Sequence, residues 1–186
     1  TGGRSGGYER VIGWDGLNSR RRKQLFADSA DPEFTGQGVW RYNLPKPAGM
    51  DWVRSYDGPR CKVGFVPISS TLMYILVVAA EPGNPRFEGP QMAAEMRARL
   101  EGMTDLVAEM TPLIIDPDKV VYRPMETLLL PAPWMKGNVI LIGDAAHSMT
   151  PHLGQGAAMA IEDAVLLGEL MGRDDPVEGL LDEFMQ

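Results

Sequence analysis

The chain has 186 residues, a hydrophobic fraction of 44% and a formal net charge of −7, enough for one ordinary domain with its own core. That charge excludes a nucleic-acid or acidic-membrane partner as the natural reading, because the basic residues cluster only at 20–23. The single cysteine, Cys61, cannot close an internal disulfide, and no apolar run reaches the roughly 20 residues of a membrane helix, so a cytoplasmic protein with a small buried thiol is expected.

In chain order, TGGRSGG at residues 1–7 reads as a tight turn or a flexible leader, and residues 8–13 as a strand that stops at the turn dipeptide Asp15-Gly16. Residues 20–26 form a short basic helix pattern, with Asn18 or Ser19 placed to cap it. From Phe34 to Ala80, aromatic and β-branched residues alternate with polar ones at 39–44, 52–56, 62–66 and 72–80, with Pro/Gly turns between, which predicts an antiparallel meander. Trp40, Tyr42, Tyr56 and Tyr74 are its aromatics, and each suits core packing as well as a pocket wall.

A Pro/Gly-rich connection follows at 82–90, and residues 91–103 give an amphipathic helix with Met92, Met96 and Leu100 along one face. Residues 105–110 read as a second short helix closed by Thr111-Pro112, and 120–130 as a strand. The stretch 137–171, GNVILIGDAAHSMTPHLGQGAAMAIEDAVLLGELM, organises the rest. Residues 139–142 are a short apolar run that fits a strand buried on both faces. Gly143 and Asp144 end it, and a loop with Pro151 leads through Gly154, Gln155 and Gly156 into a helix whose residues Ala157, Ala160, Ile161, Ala164, Gly168 and Met171 share one face. Residues 177–185 read as a final helix. A strand, an acidic loop and a glycine-flanked helix N-terminus offer unpaired N–H groups and the positive end of a helix dipole. Those features call for a polar or anionic ligand and leave its identity open.

GDAAHSMTPHLGQGAAMAIEDA resembles the flavin and ribityl binding motif of the FAD-dependent aromatic hydroxylases, the flavoprotein monooxygenases typified by para-hydroxybenzoate hydroxylase and related to the 2-polyprenyl-6-methoxyphenol hydroxylases; the likeness runs without a gap over 139–167. VIGWDGLNSRRR resembles the second motif of that family, with Asp15, Gly16, Ser19 and Arg22 in place. Two residues depart from the pattern: Trp14 stands where the family usually has a small residue, and Ala158 where it often has Asn.

The resemblance implies a mixed α+β and α/β chain. Residues 1–30 and 134–186 would be pieces of a Rossmann-like FAD-binding domain, and 31–133 the antiparallel or mixed sheet on the substrate side. It implies FAD as cofactor, NADH or NADPH as reductant, and hydroxylation of an aromatic or polyprenyl-phenol-like small molecule through a flavin hydroperoxide. Asp15, Gly16 and Arg22 would serve the pyrophosphate region, and Asp144, beside Gly143, would accept from the ribityl hydroxyls. Pro151 would set main chain next to the reacting ring edge, and Gly154, Gln155, Gly156 and Ala157 would direct N–H groups at the N1/C2 carbonyl edge of the flavin. Trp40, Tyr74 and His152 would face the substrate. No catalytic side chain is assigned, because the flavin carries the chemistry.

The family's GxGxxG turn, which holds the AMP half of FAD, is matched nowhere in the sequence. The chain is therefore expected to be an internal portion of such an enzyme, weak in FAD binding and inactive alone, and open to association as a homodimer or through exposed sheet edges. His147 and His152, five apart around Pro151, do not fit a zinc pair, and Ser148 is in no GxSxG elbow. A reductase or epoxidase of the same fold, or a non-catalytic chain that needs a partner, are the alternatives.

Overall fold

The computed structural model describes residues 7, 8, 10–29, 31–174 and 177–185. The turn or leader expected at 1–7 lies, apart from Gly7, outside the described residues. The elements in chain order are β1 (Val11–Gly13), α1 (Arg20–Leu25), β2 (Glu33–Pro45), β3 (Arg54–Asp57), β4 (Cys61–Pro67), β5 (Leu72–Ala80), α2 (Met92–Arg99), α3 (Asp105–Met110), β6 (Val121–Leu129), β7 (Met135–Lys136), β8 (Val139–Leu141), β9 (His147–Ser148), α4 (Gly156–Met171) and α5 (Val177–Phe184). They group into a sheet unit, Phe34–Met125, and a second unit made of Thr1–Glu33 with Glu126–Gln186. Among the described residues no helix is long and apolar enough to cross a membrane.

The sheet unit carries strands in the order β3-β4-β5-β2-β6. Alternation fixes its register. Trp40 stands opposite Val77 and Asn43 opposite Tyr74 on the β2–β5 pair, and Val63 opposite Val77 on β4–β5. Every second residue of β2 from Gly38 to Leu44 is buried, and Val63, Phe65, Ile75 and Val77 complete an inner face with no exposed surface. Met92, Met96, Val107 and Met110 from α2 and α3 join that core, and each such side chain contributes about 1.5–3 kcal/mol when fully withdrawn from water. The stripe of Met92, Met96 and Leu100 read from the sequence is buried.

The strand expected at 52–56 starts two residues later, because continuing the β3–β4 register beyond Arg54↔Phe65 would place Trp52 opposite Pro67, which has no N–H to give. Trp52 and Val53 are left 77% and 65% exposed. Cys61 is buried, and burial pushes its thiol pKa up.

In the second unit β1 and β8 run parallel, Val11↔Val139 to Gly13↔Leu141, and β7 pairs antiparallel with β8. The end of β6 takes up β9 through Leu128↔Ser148 and Leu129↔His147. Ile140 and Ile142 pack with Leu167 and Leu170 of α4 and with Leu180, Leu181 and Phe184 of α5. The face shared by residues 157, 160, 161, 164, 168 and 171 does not turn to this core; Ile161 is 63% exposed, while Leu167 and Leu170 are buried. The larger branched side chains remove more apolar area from water, and that difference sets the roll of the helix.

Candidate functional site

Because β1 and β8 are parallel neighbours, Asp15 and Asp144 both leave from the C-terminal ends of adjacent strands. The crevice beyond such ends is the usual ligand position of an open parallel sheet. Ile142 N–H donates to Gly13 O at 3.0 Å and keeps the two strand ends in register.

The Asp15 carboxylate nucleates α1. Its Oδ1 accepts from the Ser19 hydroxyl at 2.5 Å, and its Oδ2 from the backbone N–H of Arg20 at 2.8 Å and of Arg21 at 3.3 Å. Ser19 in turn caps the helix, Oγ accepting from Arg22 N–H at 2.9 Å. Gly16 turns the chain between them at a φ of 79°, a region open to glycine. Burial alone would push the Asp15 pKa up, but the Ser19 hydroxyl and the Arg21 and Arg20 amides outweigh it and hold the carboxyl below its ordinary value.

Arg22 is not where a pyrophosphate could use it. The side chain has no exposed surface. Its guanidinium donates to Leu17 O at 2.7 Å and to Ala145 O at 3.0 Å, so it staples the Asp15 turn to the Asp144 loop. Burial depresses its pKa, against the opposing pull of Asp31 and Asp15. The exposed cations on this side are Arg20 and Arg21, which line a cleft of about 390 Å³ with Ile12, Gly13, Trp14, Asp15 and Gln24. Trp14, 80% exposed, also borders an apolar groove with Ile12, Ala164, Gly168 and Met171.

Gly143 is buried at a φ of 57°, a conformation that favours glycine, and a Cβ there would be tight against α4, 3.1 Å from Ala160 Cβ. Its N–H donates to Asp163 Oδ2 at 2.7 Å, and the same oxygen lies 2.6 Å from His147 Nε2. The Asp144 side chain projects into solvent, and a Cβ added to Gly156 would stand 4.0 Å from its Oδ1, which places the carboxylate at the start of α4.

Pro151, His152 and Leu153 form an exposed 3₁₀ turn, with His152 Nδ1 2.9 Å from Thr150 Oγ1. Gln155 gives α4 no side-chain cap, and the first intrahelical bond at this end is Met159 N–H to Gln155 O. The N–H groups of Gly156, Ala157 and Ala158 therefore stand open at the positive end of a 16-residue helix.

The two aromatics expected on a substrate wall do not share a face. Trp40 lies on the inner face, tilted against Tyr122 at 4.5 Å and Phe87 at 4.8 Å, and its indole N–H donates to Glu81 Oε1 at 2.8 Å. Tyr74 lies on the opposite face, half-buried, with the Arg41 guanidinium 4.2 Å over its ring. The alternation of β2 against β5 enforces the difference. Of the residues expected around the cofactor, the structure gathers Asp15, Gly16, Gly143, Asp144 and the 151–157 turn on one unit. Asp163 and His147 were not foreseen as a pair; the signal was the adjacent carboxylates Glu162 and Asp163 in an otherwise small and apolar helix segment, AMAIEDAVLL.

Comparison with known proteins agrees with this geometry. A family model described as FAD binding domain matches residues 9–173. Among curated proteins, the 2-heptyl-3-hydroxy-4(1H)-quinolone synthase of Pseudomonas aeruginosa is 37% identical over 171 residues, covering 86% of this chain and 42% of the relative. The 6-hydroxynicotinate 3-monooxygenase of Bordetella bronchiseptica is 34% identical over 170 residues, covering 86% of this chain and 43% of the relative. The chain thus spans less than half the length of these relatives. The crystal structure of Klebsiella pneumoniae HpxO complexed with FAD and uric acid shares the fold, with a TM-score of 0.84 at 24% identity over 95% of this chain and 46% of that one.

Proposed function

The chain belongs to the FAD binding domain family, and its relatives include proteins named as FAD-dependent monooxygenases; from that premise we propose that it forms part of an FAD-dependent, NADH- or NADPH-using enzyme that hydroxylates an oxygenated aromatic small molecule. One observation carries the reading: two acidic turns leave adjacent parallel strand ends beside an uncapped helix N-terminus.

The residues fit the cofactor in three respects. Asp144 is an exposed carboxylate with free acceptor capacity for the hydroxyls of a ribityl chain. Gly143 lets the strand end turn close against α4, which brings the Asp144 loop to the helix start. The open N–H groups of Gly156 and Ala157 suit a carbonyl edge on which negative charge gathers. Arg22 does not fit a pyrophosphate contact, so the accessible positive charge beside Asp15 falls to Arg20 and Arg21.

Bound FAD would supply the reduction by a nicotinamide and the activation of dioxygen. The chain's own residues orient the cofactor and hold the main chain at 151–157 beside it. Tyr74 and His152 are the proposed substrate-side residues, Trp40 being committed to the core. For the substrate we propose an oxygenated nitrogen heteroaromatic, on the strength of the quinolone and hydroxynicotinate in the names of the relatives. The sequence has no GxGxxG turn, so we propose that these residues alone hold FAD weakly and do not turn over. A cytoplasmic setting belongs to the same reading.

The test is nicotinamide oxidation by the protein that carries this chain, under labelled dioxygen and with 6-hydroxynicotinate and an alkylquinolone as probes. Substrate-stimulated oxidation with one labelled oxygen in the product is expected. A protein that cannot be reconstituted with FAD overturns the proposal, and one that oxidises the nicotinamide with no label in any product points to the reductase alternative.

A further inference from the structure

The carboxylate that ties α4 to the Gly143 loop takes no part in the cofactor contacts above. Asp163 lies about two turns into α4. Its Oδ2 accepts from Gly143 N–H at 2.7 Å and meets His147 Nε2 at 2.6 Å. A carboxylate only accepts, so the imidazole donates from Nε2. The two donors flank Asp144 in the chain, one on each side of it. One oxygen therefore gathers both arms of the acidic loop onto the helix.

The remaining surroundings leave this loop few alternatives. Gly143 is buried, so its N–H has no water to turn to. Ala160, one helical turn before Asp163, closes against Gly143 from the same helix. His147 is buried, its backbone is paired with Leu129, and its ring lies 5.0 Å from that of Trp134. Asp163 itself is partly shielded, with 16% of its side chain exposed, and it borders a cleft lined by Trp134, Glu162 and Phe184.

We propose that Asp163, with His147 acting through it, is the positioning pair of the flavin-facing loop: it holds Gly143 in its left-handed turn and thereby aims the Asp144 carboxylate along the start of α4. The role assigned to the loop rests on the flavin reading; the lock itself does not.

The experiment uses D163A, D163N, H147A, the D163A/H147A double variant and D144A in the protein that carries this chain. Amide hydrogen exchange is followed residue by residue, and FAD itself is titrated by flavin fluorescence. D163A is expected to speed exchange at Gly143 by about tenfold or more and to weaken FAD binding by a similar factor, because a buried N–H loses its acceptor. D163N, which keeps one acceptor oxygen and loses the charge, is expected to fall between D163A and wild type. The double variant is expected to be no worse than D163A within about twofold, since both residues act through one contact. D144A is expected to weaken FAD without faster exchange at Gly143.

A merely structural role would speed exchange throughout α4 and β8 and leave the FAD affinity of folded D163N at the wild-type value, and that outcome overturns the proposal. Additive losses in D163A and H147A overturn the pairing. If wild type binds no FAD the cofactor reading falls, while exchange at Gly143 in D163A and D163N still decides the lock, and unchanged rates there overturn it.

Discussion

Asp15 shows how a residue can serve local structure and a ligand site together. Three donors converge on its carboxylate, and they hold its pKa down despite the contrary push of burial. A depressed carboxyl contributes stability above its unfolded pKa of about 3.9 and loses it as the pH falls through the lower folded value. The expected outcome is that wild type exceeds D15N in thermal stability near neutral pH and that the gap narrows once the pH drops below about 4. A gap that stays constant down to a pH of about 2 would show that the three hydrogen bonds do not discriminate the ionised form. Asp15 itself was readable from the DG string, and a cap for α1 was expected at Asn18 or Ser19, of which the structure uses Ser19. The fate of Arg22 was not. A string shows a charge at a position, and burial depends on which loop the third dimension brings beside it.

At the scale of elements, Arg22 holds the start of α1 and the Asp144 loop together by two carbonyl acceptors, with no carboxylate hydrogen-bonded to it among the described residues. Removing a buried guanidinium leaves both carbonyls short of a partner and opens a cavity. R22A is therefore expected to lose about 2–4 kcal/mol of stability in urea titration, and R22K, which cannot span both carbonyls, more than half of that. Wild-type stability in R22A would place the staple's weight elsewhere. The sheet shows what pattern reading can and cannot reach. Alternation along β2 revealed that Trp40, Tyr42 and Leu44 share a face, and all three are buried. It did not reveal which face meets the helices, and that fact removes Trp40 from any shared wall with Tyr74. The buried Glu81 decides it, accepting from the Trp40 indole at 2.8 Å and from Arg99 Nε and Nη2, both at 2.8 Å. The roll of α4 was hidden for a related reason: its small residues and its branched residues both recur at helical spacing, and only the partner, α5, selects between them.

On the scale of the whole molecule, the Asp15-Gly16 and Gly143-Asp144 motifs are far apart in sequence, yet the parallel pairing of β1 with β8 makes them neighbours. The sheet residues between them fold as their own unit, Phe34–Met125. The pairing of β9 with the last residues of β6 was not legible, because a two-residue strand is too short to leave a pattern. In the proposed reading the Asp144 loop and the start of α4 receive FAD. The most direct test of that reading is a flavin fluorescence titration of the protein that carries this chain, comparing wild type with D144A. Saturable binding by wild type is expected, with an affinity lower by about tenfold or more in D144A and the apo protein equally stable. Equal affinity in the two proteins, or no binding by wild type, would contradict it.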